Sequence, residues 1–431
     1  MQAQASKPEK PLSVAVVGAG IVGVSAAIWL QRAGHDVTLI DREGAAAGAS
    51  AGNGGVLAAC AVVPVTAPGL IKNIPSMVLD RNSPLFLKYG YLPKMAGWAM
   101  KYLSHANARD CARTAKGLAQ LLPDSLREHQ GLAEGTAAAR YIKPSSYYYL
   151  YADEAAASKD AFAWSLRADA GIKTKSLQGE AVKAALPDFN GAGDFAIAMD
   201  GHGSIADPKA YVETLAAHAL GNKKLVKAKL QDLRENEDGT VTLALEGEGN
   251  KTFDRVLIAT GAQSRLLQDL LGCSIPVETE RGYHLDLYEP SFMPDAPVMV
   301  AGAKFVITPM EGRIRLAGTI EFAGLEAEAS DKPIELLKRQ VKAILPGLTW
   351  RGEVPWMGHR PAPTDSLPLL GRVPGKRNTF IATGHHHVGM TAGPKSGRLM
   401  AQLIAGEVPD VDLTAFDPAR FSKNQEQHHH H

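Results

Sequence analysis

The residues that could do chemistry in this 431-residue chain fall into four clusters. Gly18, Gly20 and Gly23 stand in G-x-G-x-x-G spacing directly after Val14-Ala15-Val16-Val17, and Asp41 closes a second apolar run, Val37 to Ile40. Thr260, Gly261 and Ala262 follow the apolar Val256-Leu257-Ile258. Arg360 sits in Gly358-His359-Arg360-Pro361, and His385, His386 and His387 follow Gly384. In the first cluster, Gly18 allows a tight turn out of a strand, Gly20 lets a diphosphate approach the backbone, and Gly23 lets the next helix pack on the strand. The helix N-terminus then offers N–H groups and a partial positive charge to phosphates. Asp41 suits a ribose 2′- and 3′-hydroxyl and disfavours a 2′-phosphate, which argues against NADP. Strand before, helix after and an acid about 20 residues on turn a weak pattern into a dinucleotide site.

Arg360 offers different chemistry. A guanidinium takes a carboxylate in bidentate fashion where lysine acts as a point charge, so Arg360 is the first candidate for a carboxylate clamp, the alternative being a structural ion pair. Tyr283 and His284 are second candidates, as cavity-facing hydrogen-bond donors. Neighbours on a strand point to opposite faces, so both line one cavity only if the strand is bulged. Three consecutive histidines do not converge easily on one ion, and no cysteine or carboxylate stands nearby at ligand spacing, so no metal site is expected. His385 is read as structural, with His386 or His387 facing substrate.

The elements that must position these residues follow from pattern. Val14–Val17 and Val37–Ile40 are buried strands flanking a helix from Ile21 to Ala33, with Gly34 at its end. The run from Gly44 to Gly55 is almost all Gly, Ala, Ser and Asn and leads into an apolar stretch, Val56 to Val65, so its backbone lies close to something inside the fold. Ser83 to about Gln130 reads as helices, with Pro84 marking a start and Pro93 a break. Tyr147 to Tyr151 reads as a strand, Asp153–Ala170 and Gln178–Leu186 as helices. Asp207 caps a helix running from Pro208 to Leu220. Lys224–Leu233, Ile275–Leu287, Phe305–Pro309, Ile314–Thr319 and Trp350–Glu353 read as strands, and Asp331–Ile344 as a covering helix.

Composition sets the bounds. Hydrophobic content of 45%, charge of 21% and a net charge of +1 describe a soluble globular chain with no electrostatic case for nucleic acid. Cys60, Cys111 and Cys273 form no CxxC pair, which fits a reducing compartment. No stretch reads as a transmembrane span or a signal peptide. The expected location is cytoplasmic, with a peripheral contact at the inner face of the membrane left open. His428 to His431 read as part of a purification tag.

The strand-turn-helix with Asp41-Arg42, the Gly/Ala/Ser/Asn run, FDRVLIATGA, MGHRPAPTDSLPLLG and FIATGHHHVGMTAGPKSG together resemble the FAD-dependent D-amino-acid oxidase/dehydrogenase superfamily. That group includes glycine oxidase, sarcosine oxidase and bacterial D-amino-acid dehydrogenase, and the likeness covers nearly the whole chain. It implies an α/β fold: a Rossmann-like FAD-binding domain of glutathione-reductase type plus an α+β substrate domain with a mixed, mostly antiparallel sheet. The FAD-binding domain would comprise 12–80, 206–274 and 357–420, the substrate domain 81–205 with a helical insertion and 275–356, and 421–431 a polar tail.

The resemblance implies FAD contacts from Gly18, Gly20, Ile21, Val22 and Gly23 in the first turn and from Asp41 and Arg42. It adds Ala49, Ser50, Asn53, Gly54, Gly55, Val56 and Leu57 in the small-residue loop, Val226 beside the adenine, and Thr260, Gly261 and Ala262. Gly358, Arg360, Gly384, His385, His387, Val388, Gly389, Met390 and Thr391 would lie along the isoalloxazine. Arg360, Tyr283, His284, His386 and His387 form the implied catalytic set. The activity implied is oxidative deamination of a D-amino acid, or of a cyclic proline-like D-imino acid, with electrons passed to a quinone or an electron-transfer protein. The alternatives are a glycine/sarcosine-type oxidase using O₂ and a flavin-binding subunit of a hetero-oligomer.

Overall fold

The apolar run after Leu12 forms the strand Ser13–Val17, buried from Val14 onward. The helix Ile21–Arg32 and the strand Asp36–Asp41 follow, the second strand pairing parallel with the first. The computed structural model describes residues 10–48 and 54–422. Around this unit runs a six-stranded sheet in the order 369–372, 379–383, 255–258, 13–17, 36–41, 226–227. All neighbours are parallel except the outermost 369–372 against 379–383. A parallel sheet covered on both faces explains why its strands read as unbroken apolar runs.

One face carries the first helix packed against the last, Gly389–Ile404. A Cβ on Gly397 would lie 2.6 Å from the Ala26 nitrogen, and one on Gly393 3.0 Å from Ile21 Cγ1. Gly397 therefore lets the last helix meet the backbone of the first, and Gly393 makes room for the Ile21 side chain. Pro208–Leu220 flanks them, and Asp207 accepts the Ala210 N–H at 3.1 Å as its cap. A small antiparallel sheet of 230–235, 241–245 and 249–253 lies on the other side.

The second large sheet has the order 352–363, 277–288, 313–322, 305–310, 298–300, 142–151, 195–205, 175–178, with 85–87 beside 313–322. Only 298–300 with 142–151 and 85–87 with 313–322 pair parallel, so the sheet is mixed and mostly antiparallel. The helix Lys332–Ile344 buries Leu337 and Val341 against one face, on Leu285, Leu287, Ile314 and Leu316. The opposite face carries Glu280, Gly282 and His284.

Several elements differ from their sequence reading. Pro84 precedes a short strand, Leu85–Leu87, and Pro93 opens the helix Leu92–Ser104 instead of breaking one. Proline has no N–H to lose in a first turn. Asp153–Ala170 is two helices, Glu154–Ser158 and Ala161–Asp169. The Gln178–Leu186 helix shortens to Glu180–Ala185, and Lys224–Leu233 splits into strands 226–227 and 230–235. The strand read at Trp350–Glu353 runs from Gly352 to Pro363 and carries Arg360. The helix Leu70–Leu79 was not expected; it buries no residue and holds Pro75. Among the described residues no helix is long and apolar enough to cross a membrane.

Candidate active site

The dinucleotide cradle is built by close backbone approach. Gly18 has φ +117°, and a Cβ there would lie 2.0 Å from the Ala259 carbonyl oxygen, so only glycine fits. A Cβ on Gly23 would lie 2.0 Å from the Gly18 oxygen. Gly20 is the N-cap of the first helix, and no side chain caps it. The last helix, starting at Gly389, is likewise without a side-chain cap. Two helix starts with no acidic residue in their first turns therefore lie side by side, a setting that favours an anion.

Asp41 ends its strand beside the turn. Its Oδ2 accepts the Ala19 N–H at 2.9 Å and its Oδ1 the N–H groups of Glu43 and Gly44, both at 2.9 Å. Oδ1 thus accepts two bonds and Oδ2 one, and the second acceptor direction of Oδ2 is the one a ribose hydroxyl would use. Val226 pairs with Ile40 next door, and Arg42 donates to Gln263 Oε1 at 3.3 Å. Thr260, Ser264 and Thr383 form a hydroxyl chain that ends on the Gly261 carbonyl, tying the loop of Gly261 and Ala262 to the closing strand before Gly384.

The loop after Asp41 returns against the second sheet. Gly54 sits 3.8 Å, by its would-be Cβ, from Ala317, while a Cβ on Gly55 would reach within 2.4 Å of Met310 Cε. Val56 bridges to Ser204, and the buried Leu57 donates its N–H to Gly203 at 2.9 Å. Thr391 Oγ1 accepts the Ala58 N–H at 3.2 Å, so this loop and the last helix are joined. Ala49, Ser50 and Asn53 lie outside the described residues. If Asp41 holds the ribose, Asp41→Ala should release FAD on dialysis; full flavin occupancy afterwards would remove it from that role.

Arg360 pairs across the strands with Glu280, Gly358 with Gly282, and Trp356 with His284. A Cβ on Gly282 would lie 2.4 Å from Arg360 Cζ, and one on Gly358 1.8 Å from Trp356 Cη2. The paired glycines thus form a trough on which the guanidinium and the indole lie flat. The Trp356 ring stacks on His284 with centroids 4.8 Å apart. Arg360 Nη1 stands 3.7 Å from Glu280 Oε1, beyond hydrogen-bond length. Among the described residues this long contact with Glu280 is the one polar side-chain partner of the Arg360 guanidinium.

The three histidines diverge. His385 Nε2 meets Ser396 Oγ at 2.9 Å, His386 Nε2 meets Glu280 Oε2 at 2.5 Å, and His387 lies edge-on to His386 at 4.7 Å. His386 has φ +54°, an uncommon backbone conformation for a residue with a Cβ. Burial pushes Glu280 up, but His386, with its charge and hydrogen bond, and Arg360 outweigh it and hold the carboxyl down at about 2. Burial holds His385 down to about 4. Burial, with His386 and Arg360 alongside, holds His387 down to about 3.

Tyr283 is not brought to this group. Its strand pairs with 352–363 without interruption, so Tyr283 faces away from Arg360; the bulge lies at Gly318 in the neighbouring strand. Its hydroxyl donates to Glu321 Oε1 at 2.7 Å and accepts the Ser330 N–H at 2.9 Å, next to the Arg281–Glu321 pair. His284 is the member of that pair of candidates on the Arg360 face.

A family model described as FAD dependent oxidoreductase (DAO) matches residues 13–403. The chain belongs to this family. It is 36% identical over 418 residues to a D-amino-acid oxidase of Bradyrhizobium diazoefficiens, covering 95% of this chain and 98% of that protein. A D-amino acid dehydrogenase of Rhizobium rhizogenes is 28% identical, over 95% of this chain and 100% of its own. The solved glycine oxidase from Geobacillus kaustophilus superposes with a TM-score of 0.69 at 22% identity, over 95% and 99% of the two chains.

In this FAD-dependent oxidoreductase the residues present suit the cofactor: the uncapped start of Ile21–Arg32 would hold the diphosphate, the uncapped start of Gly389–Ile404 would lie toward the isoalloxazine, and glycines stand where a side chain would block the backbone. Sequence reading missed two supports of the site. Glu280 was passed over although it stands two residues before Gly282. His129, fully buried, joins Tyr211 at 2.7 Å and the Met390 carbonyl at 2.6 Å, and Ser125 donates to the Thr391 carbonyl at 2.7 Å, so the helix Ser125–Ala133 props the start of the last helix.

Burial holds His129 down to about 4. Folded-state pKa values below the ordinary 6.5 at His129, His385 and His387 mean that the unfolded chain protonates first. Their stabilisation is complete above that ordinary value and is lost as pH falls from it toward 4. The thermal midpoint should therefore begin to fall below about pH 6.5, before carboxylates titrate; a flat midpoint down to pH 5 would contradict this.

Proposed function

We propose that the protein oxidises a D-amino acid, or a cyclic proline-like D-imino acid, to the imine, which water converts to the 2-oxo acid when it is not cyclic. The observation that carries this is Arg360: a guanidinium held across Gly282, on the sheet face that meets the Gly-His segment, whose polar side-chain partner among the described residues is Glu280 at a long 3.7 Å. Such a group suits a substrate carboxylate. FAD bound in the cradle supplies acceptance of a hydride from the substrate Cα. Arg360 binds and orients the carboxylate, Trp356 and His284 wall one side, and His387, kept neutral beside His386, adds no charge. The names of the Bradyrhizobium and Rhizobium relatives support an amino-acid donor.

For the electrons we propose an acceptor other than oxygen, a quinone or an electron-transfer protein, with the protein cytoplasmic and at most peripheral to the inner membrane face. A second reading, oxidase activity with O₂, is favoured by the name of the Bradyrhizobium relative. Turnover of D- and L-amino acids by the isolated chain with an artificial dye acceptor tests the reaction, and reoxidation of the reduced enzyme in air separates the two acceptors. Dye reduction with no amino acid in the panel would contradict the proposal, and so would activity confined to L-enantiomers.

A further inference from the structure

The chain contains ion pairs of two kinds on one sheet. Arg281 closes on Glu321 at 2.9 Å, and Arg315 holds Asp286 with bonds of 2.8 and 3.0 Å. These are short, charge-assisted and structural. Arg360 and Glu280 are cross-strand neighbours as well, yet they stop at 3.7 Å. Glu280 is at least as buried as Glu321, so solvent does not explain the gap. One of its oxygens, Oε2, is fixed by His386, and the other, Oε1, meets only Arg360, at 3.7 Å, among the described residues.

Two opposite charges thus stand side by side, each with hydrogen-bonding capacity left over, in the face where the substrate is placed. An amino acid carries the same two charges on adjacent groups in reverse order. We propose that Glu280 recognises the amino end of the substrate: the carboxylate docks on Arg360 and the ammonium on Glu280, so the pair selects amino acids over carboxylic acids that lack the amine. This rests on the amino-acid reading above and adds the residue that enforces it.

Two features fit. His386 holds Glu280 from a left-handed backbone conformation, the sort of local strain that persists where the surrounding structure needs a side chain in one place. Glu280 stays ionised in spite of burial, so a negative charge is available to an ammonium throughout the neutral range.

The test uses FAD-loaded wild type, Glu280→Gln and Glu280→Asp, with glycine, D-alanine and D-proline as amino acids and benzoate as the amine-free carboxylate. In Glu280→Gln the KM for the amino acids should rise about tenfold or more, the usual scale for a hydrogen bond to a charged group. The benzoate inhibition constant should fall, because Arg360 loses its neutralising neighbour. Glu280→Asp keeps the charge and should retain most of the discrimination against benzoate, and it serves should the glutamine variant fail to hold flavin. A parallel rise of both constants, or no change in either, would overturn the proposal while leaving the amino-acid reading standing. Wild type that is reduced by no amino acid would overturn both.

Discussion

Arg360→Ala is expected to raise the KM for the amino acid on the order of a hundredfold, with FAD still bound. The size follows from what is removed. Each hydrogen bond to a charged group contributes about 1.5–3 kcal/mol, and a bidentate clamp makes two, so the loss is about 3 kcal/mol or more. At about 1.4 kcal/mol per tenfold, this gives two decades or more. FAD should stay because the cradle of Gly18, Gly23 and Asp41 lies in the other sheet. The variant also leaves Glu280 without its cation, so some loss of thermal stability is expected beside the kinetic change. Arg360→Lys should recover only part of the binding, since an ammonium cannot form the fork. An unchanged KM in Arg360→Ala would take Arg360 out of the clamp.

Gly18→Ala should abolish flavin retention and lower the thermal midpoint by several degrees. Two effects combine. A residue with a Cβ at φ +117° is strained by about 1–3 kcal/mol. The added carbon also falls 2.0 Å from the Ala259 oxygen, a backbone atom that cannot swing aside as a side chain would. Relief requires the Ser13–Val17 and Arg255–Ile258 strand ends to separate, which opens the turn that would hold the diphosphate. For a domain of this size a few kcal/mol corresponds to a midpoint shift of several degrees. Gly347→Ala is the control, because it is exposed and nothing among the described residues lies within 4 Å of a Cβ placed there. Flavin content and midpoint equal to wild type in Gly18→Ala would show that the approach to Ala259 is not required.

The glycine turn was legible because its chemistry is local. Gly18, Gly20 and Gly23 act within one strand, one turn and one helix, and their spacing states the geometry. Asp207 was legible for the same reason: a cap and its helix are adjacent in sequence. Arg360 could be picked out by its type, but its partner could not. Glu280 meets it through strand register, and nothing in either segment announces that register. The opposite orientations of Tyr283 and His284 follow from alternation, yet which of them faces the cofactor domain depends on which face the Lys332–Ile344 helix covers. Pro93 was misplaced because proline opens and ends helices by the same missing N–H, and only the neighbouring strand at Leu85–Leu87 decides between the two. The trough under Arg360 needs Gly282 and Gly358 to be cross-strand partners, a fact of topology that neither motif contains.

The most direct measurement is anaerobic single turnover of the purified FAD-loaded enzyme, following the flavin absorbance after mixing with D-alanine and with D-alanine deuterated at Cα. The account predicts bleaching that is several-fold slower with the deuterated substrate and saturates with concentration, and that shifts to much higher concentration in Arg360→Ala. Absorbance that stays unchanged with every D-amino acid tried, in enzyme that carries its flavin, would contradict it.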